Sequence, residues 1–316
     1  MPPLLCALLL GACGGGVAGD NLDSSSPTDS RTKNTEVTPT NTTTTEALNT
    51  NPAPVGSQIA GWRLVWSDEF TTNGLPASDR WDYDIEFNST GWHNNELQYY
   101  ARARLENSRV SNGQLIIQAL QEDYAAPDSN RQRYTSARLL TRGKASWTYG
   151  FFEIRAKLPC AQGTWPAIWM LGTGGRWPED GEIDIMEQKG QDKTQVLGTI
   201  HTRANNYFNG SVGVGLGNDK PLPNSCNAFN NYQLTWTPEK IEIAVNGEPP
   251  YFTYNNPYPN ASAAFKNTTA YKDRWPFDQP HYLLLNIAMG GNLGGAINNA
   301  QLPAQMVVEY VRVYQR

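Results

Sequence analysis

Glu182, Asp184 and Glu187, in the run Gly181-Glu182-Ile183-Asp184-Ile185-Met186-Glu187, are the residues whose types and spacing best suit chemistry. Side chains of a strand alternate faces, so Glu182 and Asp184 share one face while Ile183 and Ile185 share the other. Strict alternation then fails. It would turn Met186 toward the carboxylates and push Glu187 into the core, where an unpaired charge is costly. One extra residue, a β-bulge at Ile185-Met186, returns Met186 to the apolar side and Glu187 to the other acids, and bulges are enriched beside active sites. With that residue absorbed, Glu182 and Glu187 stand about four strand steps apart, roughly 13 Å between Cα atoms. Two leaning side chains shorten the gap to about 5 to 6 Å, the separation at which one carboxylate attacks a sugar carbon while the other protonates the leaving oxygen. Asp184, between them, is placed to hydrogen-bond the first Glu, and its charge helps keep the second protonated near neutral pH. A solvated edge strand carrying three acids has the same spacing.

The elements that must carry these side chains read as β throughout from residue 61. Ile154, Ala156 and Leu158 alternate with Glu153, Arg155 and Lys157, and Ile241, Ile243 and Val245 alternate with Glu242 and Ala244. Turn signals stand at Asn112-Gly113, Thr237-Pro238 and Asn246-Gly247, the last two bracketing a hairpin strand. There is no long helical periodicity and no fixed repeat, which disfavours propellers and solenoids. The expected fold is all-β, a β-sandwich of two antiparallel sheets.

Composition sets bounds. A chain of 316 residues has room for one large sandwich domain with a sizeable core. The formal net charge of −5, with both signs dispersed, gives no basic stripe for nucleic acid. Ten Trp and fifteen Tyr offer flat faces for stacking on sugars, although aromatics are also good strand and core residues.

Residues 1–19 read as an export signal, with a short apolar core from Leu4 to Leu10. The run Leu10-Gly11-Ala12-Cys13-Gly14 resembles the lipobox of bacterial lipoproteins, which makes Cys13 the lipid-bearing first mature residue. Val17-Ala18-Gly19 is a weaker ordinary cleavage site, and the segment before the apolar core has no Lys or Arg. Residues 20–58, rich in Thr, Ser and Asn, read as a disordered tether, leaving 59–316 as the catalytic domain. The expected location is outside the cytoplasm, at the cell surface, in the periplasm or secreted, with membrane contact only through the N-terminal lipid. With Cys6 in the signal and Cys13 at the lipid site, Cys160 and Cys226 remain as an even pair, expected to form a disulfide. Two buried free thiols are the alternative.

The acidic motif resembles the Glu-x-Asp-x-x-Glu signature of glycoside hydrolase family 16, in the bulged form of bacterial laminarinases, the endo-β-1,3-glucanases. The stretches Trp66-Ser67-Asp68-Glu69-Phe70, GWHNNELQYY at 91–100, YTSARLLT at 134–141, YGFFEIRAKLP at 149–159, GTWPAIWML at 163–171 and VEYVRVY at 308–314 are similar to that family in the same order. The resemblance spans about residues 60–316. It implies a jelly roll with a concave substrate cleft, and a retaining hydrolase of β-1,3-glucan acting as a monomer. Glu182 would be the nucleophile, Glu187 the acid and base, and Asp184 the assisting carboxylate. Trp165 and Trp169 would flank the sugar beside the cleaved bond, His201 would lie near the carboxylates, and Asn95 and Arg138 would meet sugar hydroxyls or secure loops.

Catalysis would need no cofactor, but the resemblance implies a structural calcium on Glu69, the carbonyl of Gly113 and Glu309, oxygen donors of the kind calcium prefers. Glu309 stands where the family usually has Asp, and interrupts the apolar set Val307, Val311 and Val313. Gly290–Gly295 lacks an aromatic and a proline common in relatives, and Asn230 stands where His is frequent. Mixed-linkage glucan and agarose are alternative substrates for the same trio. The cleft motifs carry no cluster of Lys and Arg for a sulfated chain. A non-catalytic glucan-recognition protein is a further alternative, which the intact trio disfavours.

Overall fold

A computed structural model of the protein describes residues 59–128, 131–206 and 216–316. The expectations for the signal, Cys13 and the tether lie outside these residues. The described chain forms two sheets, as the alternating pattern requires. In the seven-stranded sheet the order is Leu216–Pro221, Gln195–His201, Glu182–Glu187, Thr164–Gly172, His281–Met289, Arg138–Leu140 and Asp82–Tyr83, every neighbour antiparallel. The ten-stranded sheet is built around Gly150–Lys157 and Ala304–Gln315, and in it Gln98–Tyr100 pairs in parallel with Arg131–Ser136. This is the expected all-β jelly-roll sandwich.

One apolar core lies between the sheets. Ile168, Met170, Ile183, Ile185, Met186, Leu283, Leu285 and Ile287 of one sheet join Phe152, Ile154, Leu234, Ile241, Ile243, Val311 and Val313 of the other. Each strand thereby gives alternate residues to the core and presents the rest outward. Asn112 and Gly113, with φ of 52° and 74°, close the Ser108–Ser111 to Gln114–Ala125 hairpin. Both positive angles are those a two-residue primed turn needs. Asn246 and Gly247 repeat the combination after the Lys240–Val245 strand. Cys160 and Cys226 are disulfide-bonded, with Cα atoms 5.1 Å apart. The bond lies just beyond the paired ends of Gly150–Lys157 and Asn230–Trp236.

Candidate active site

The register shift in Glu182–Glu187 sets the site. Against Thr164–Gly172, Asp184 faces Trp169 and Met186 faces Ile168, so Ile185 is the extra residue. Against Gln195–His201, Glu182 faces His201, Asp184 faces Thr199 and Glu187 faces Leu197. Ile183, Ile185 and Met186 are all fully buried in the inter-sheet core. The three acids lie on the opposite, open face of the sheet, as the bulge reading requires.

Each acid has specific partners. Trp165 Nε1–H donates to Glu187 Oε1 at 2.9 Å, and Trp177 Nε1–H donates to Glu182 Oε2. The Thr199 hydroxyl reaches Asp184 Oδ2 at 2.5 Å and Glu187 Oε2 at 3.4 Å. His201 Nε2 lies 3.3 Å from Asp184 Oδ2. Ligand-capable atoms of Glu182, Asp184 and His201 all fall within 4.8 Å of one another. Asp184 thus sits between the glutamates and ties both neighbouring side chains of the next strand to the trio.

Electrostatics follow from crowding in a dry place. Burial, and then the Asp184 charge, push Glu182 up to about 8. Burial first, then the Glu187 charge, raises Asp184; burial is also the main cause of the rise at Glu187. Burial opposes charge on His201, but its hydrogen bond to Asp184 and the three surrounding carboxylates raise it to about 9. The imidazolium is therefore the form at neutral pH, and it offsets one carboxylate. Three acids this close do not all ionise, so the trio keeps a shared proton. A state with Glu182 ionised and Glu187 protonated is the one suited to attack and leaving-group protonation.

Beside the trio the open face turns aromatic and apolar. Trp169, half-buried, packs with Leu171 against Leu140, Tyr282 and Leu284. Its Nε1–H donates to Asn286 Oδ1 at 2.8 Å, and Asn286 Nδ2 donates to Tyr100 OH at 3.0 Å. Arg138 is buried with its guanidinium 4.3 Å from the Trp92 ring centre and 4.5 Å from that of Trp169, and pairs with Asp84 at 3.1 Å. It therefore backs the Trp169 platform. Arg142 lies over Tyr282 and pairs with Glu86. Two arginines thus lie by this platform, and each is matched by an acid.

Asn95 is exposed, and its Nδ2 donates to Asn292 Oδ1 at 2.9 Å. Its observed contact joins two loops. Asn230 is buried at the start of a strand of the other sheet, accepting from Asn246 Nδ2, so its departure from the family pattern lies outside this face.

At the residues expected to hold calcium the structure shows ion pairs. Arg312 grips both oxygens of Glu69 at 2.9 and 2.8 Å, and Arg155 Nε donates to Glu309 at 2.5 Å. Each carboxylate of the expected set is thus matched by its own arginine, and Gly113 lies in a hairpin turn. Glu309 interrupts the apolar alternation because a register shift lies between Val308 and Tyr310, which turns it outward to Arg155.

Sequence reasoning missed Trp177, Thr199 and Asn286. Asn286 did carry a signal, as the single amide in the apolar run 282–289. Trp177 and Thr199 had none beyond closeness in sequence to Glu182 and His201.

Residues 89–312 match glycosyl hydrolases family 16. Over 261 residues the chain is 48% identical to a β-glucanase of Rhodothermus marinus, covering 80% of this chain and 85% of the relative. The solved laminarinase of Rhodothermus marinus superposes with a TM-score of 0.72 at 46% identity, over 82% of this chain and 99% of that one. A non-specific endo-β-1,3(4)-glucanase of the same family, solved with a glucan oligosaccharide in its active site, gives 0.74 at 43% identity over 81% and 96%. A bulged strand with three acids, the match over 89–312 and these whole-domain likenesses agree, and the chain belongs to glycosyl hydrolases family 16.

Proposed function

We propose that this protein hydrolyses internal β-1,3-glucosidic bonds of laminarin-type glucans by double displacement, with retention at the anomeric carbon. The observation that carries the reading is the pair Glu182 and Glu187 on one open strand face, bridged by Asp184 and flanked by Trp165 and Trp169. A β-glucanase, a laminarinase and an endo-β-1,3(4)-glucanase among its relatives support the substrate class.

In the first step a Glu182 carboxylate oxygen bonds to C1 of the sugar, the C1–O bond to the departing chain breaks, and Glu187 gives its proton to that oxygen. In the second step Glu187 takes a proton from water as the water oxygen bonds to C1, and Glu182 departs as carboxylate. Asp184, held by Thr199 and His201, keeps Glu182 in place and its charge favours the protonated Glu187. Trp165 and the Arg138-backed Trp169 offer the sugar a stacking surface.

The protein is further proposed to act outside the cytoplasm as a monomer, held to a membrane through lipid on Cys13. The Cys160–Cys226 bond fits an oxidising compartment.

The test is release of reducing ends from laminarin, mixed-linkage glucan and agarose, with Glu182→Gln as the blank and NMR of the first product anomer. Rapid release from laminarin as the β-anomer, absent in the blank, is expected. Release as the α-anomer overturns the mechanism, cleavage of agarose alone overturns the substrate, and binding without cleavage returns a recognition protein.

A further inference from the structure

Trp177 stands apart from the other tryptophans. It is 40% exposed, the most exposed tryptophan among the described residues, yet its indole N–H is spent on Glu182 Oε2. Its ring centre lies 6.1 Å from the His201 imidazole, on the side of the trio away from Trp165. Trp165 precedes the site on its strand and donates to Glu187, so an indole N–H meets each glutamate.

The loop that presents Trp177 is firmly built. Asp180, buried, accepts the Arg176 backbone N–H at 2.8 Å and its guanidinium at 2.8 Å, while its own carbonyl accepts Gln279 Nε2 at 3.0 Å. Gly172 and Gly174 pass so close to Asp180 that an added Cβ would lie 2.2 and 2.4 Å from its atoms. A fixed loop aiming an exposed indole at a reacting carboxylate is a costly arrangement for packing alone.

We propose that Trp177 is a further catalytic residue, whose N–H holds one oxygen of Glu182, favours its ionised form for attack and receives the charge again when the carboxylate is released. This rests on the glucanase reading above. A donor aimed at a carboxylate binds the charged form more strongly than the neutral acid, and it acts where charge returns in the second step.

Trp177→Phe keeps a ring and removes the N–H. On laminarin, kcat is expected to fall about 10- to 100-fold, with KM little changed and the acid limb of kcat/KM moved to higher pH. Trp177→His, which again offers a ring N–H, is expected to recover part of the loss. Carbon-13 NMR of labelled glutamate carboxyls, with Glu182 assigned through Glu182→Gln, is expected to show a higher Glu182 midpoint in Trp177→Phe than in the wild type. An unchanged midpoint and pH profile, or a loss confined to KM or Tm, overturns the proposal. If the wild type cleaves no polymer the glucanase reading fails, whereas the NMR midpoint still decides the hydrogen bond.

Discussion

Glu182 carries the sharpest conflict between stability and activity. Its pKa is about 8 in the fold against an ordinary 4.5, so the folded protein binds more protons than the unfolded chain between those values. Stability from this group is therefore whole below pH about 4.5 and is lost as pH rises toward 8. Glu182→Gln removes the penalty. Its melting temperature should match the wild type near pH 4 and exceed it near pH 8, by roughly 1–2 kcal/mol in stability; calorimetry across pH checks both ends. His201 is the counterweight, a cation up to about pH 9 beside three acids. His201→Asn takes that charge away, so the carboxylates hold their protons more tightly. The acid limb of kcat/KM should move to higher pH, while the variant's melting profile loses the wild type's decline as pH approaches 9.

At the scale of elements, the bulge and three stitched loops matter most. Deleting Ile185 removes the extra residue and restores strict alternation with Met186 inward and Glu187 on the face of the other acids, but it takes away a fully buried side chain and the local bend and twist that the bulge gives the strand. Activity on laminarin should fall sharply with the changed aim of Glu187, and a variant with wild-type kcat would show that the bulge is not needed to aim it. The loops around Gly163, Gly190 and 290–295 are joined backbone to backbone: Gly163 N–H donates to Gly190 O at 3.1 Å, Gly190 N–H to Leu293 O at 2.8 Å, and Gly290 N–H to Gly163 O at 2.8 Å. A Cβ on Gly190 would stand 1.9 Å from the Gly294 carbonyl oxygen. Gly190→Ala must therefore part the two loops beside Trp165. It should lower Tm by several degrees and raise KM for laminarin more than it lowers kcat.

For the molecule as a whole, the two sheets share one apolar core, and the disulfide joins chain segments 66 residues apart in sequence beyond the ends of neighbouring strands. Replacing both Cys160 and Cys226 by Ser frees the unfolded chain and leaves the core intact. A loss of about 2–4 kcal/mol in unfolding free energy is expected, with kcat near the wild-type value, checked by denaturant titration alongside assay. The site lies in the other sheet, so a parallel loss of kcat would reveal coupling between the two.

By itself the sequence determined the β class, the primed turns at Asn112-Gly113 and Asn246-Gly247, and the bulged strand with its three acids. Those are local facts: alternation, turn angles and the cost of a buried charge act within a few residues. Asn286 lay half-open to reading, since one amide in an apolar run demands a partner, although nothing local names Trp169 and Tyr100. Only the tertiary structure decided which remote groups meet. It set Trp177 on Glu182, Trp165 on Glu187 and Arg138 behind Trp169, and it paired Glu69 and Glu309 with arginines. The physical reason is that such partnerships depend on sheet register and loop approach across the fold, and on which charges burial leaves close together.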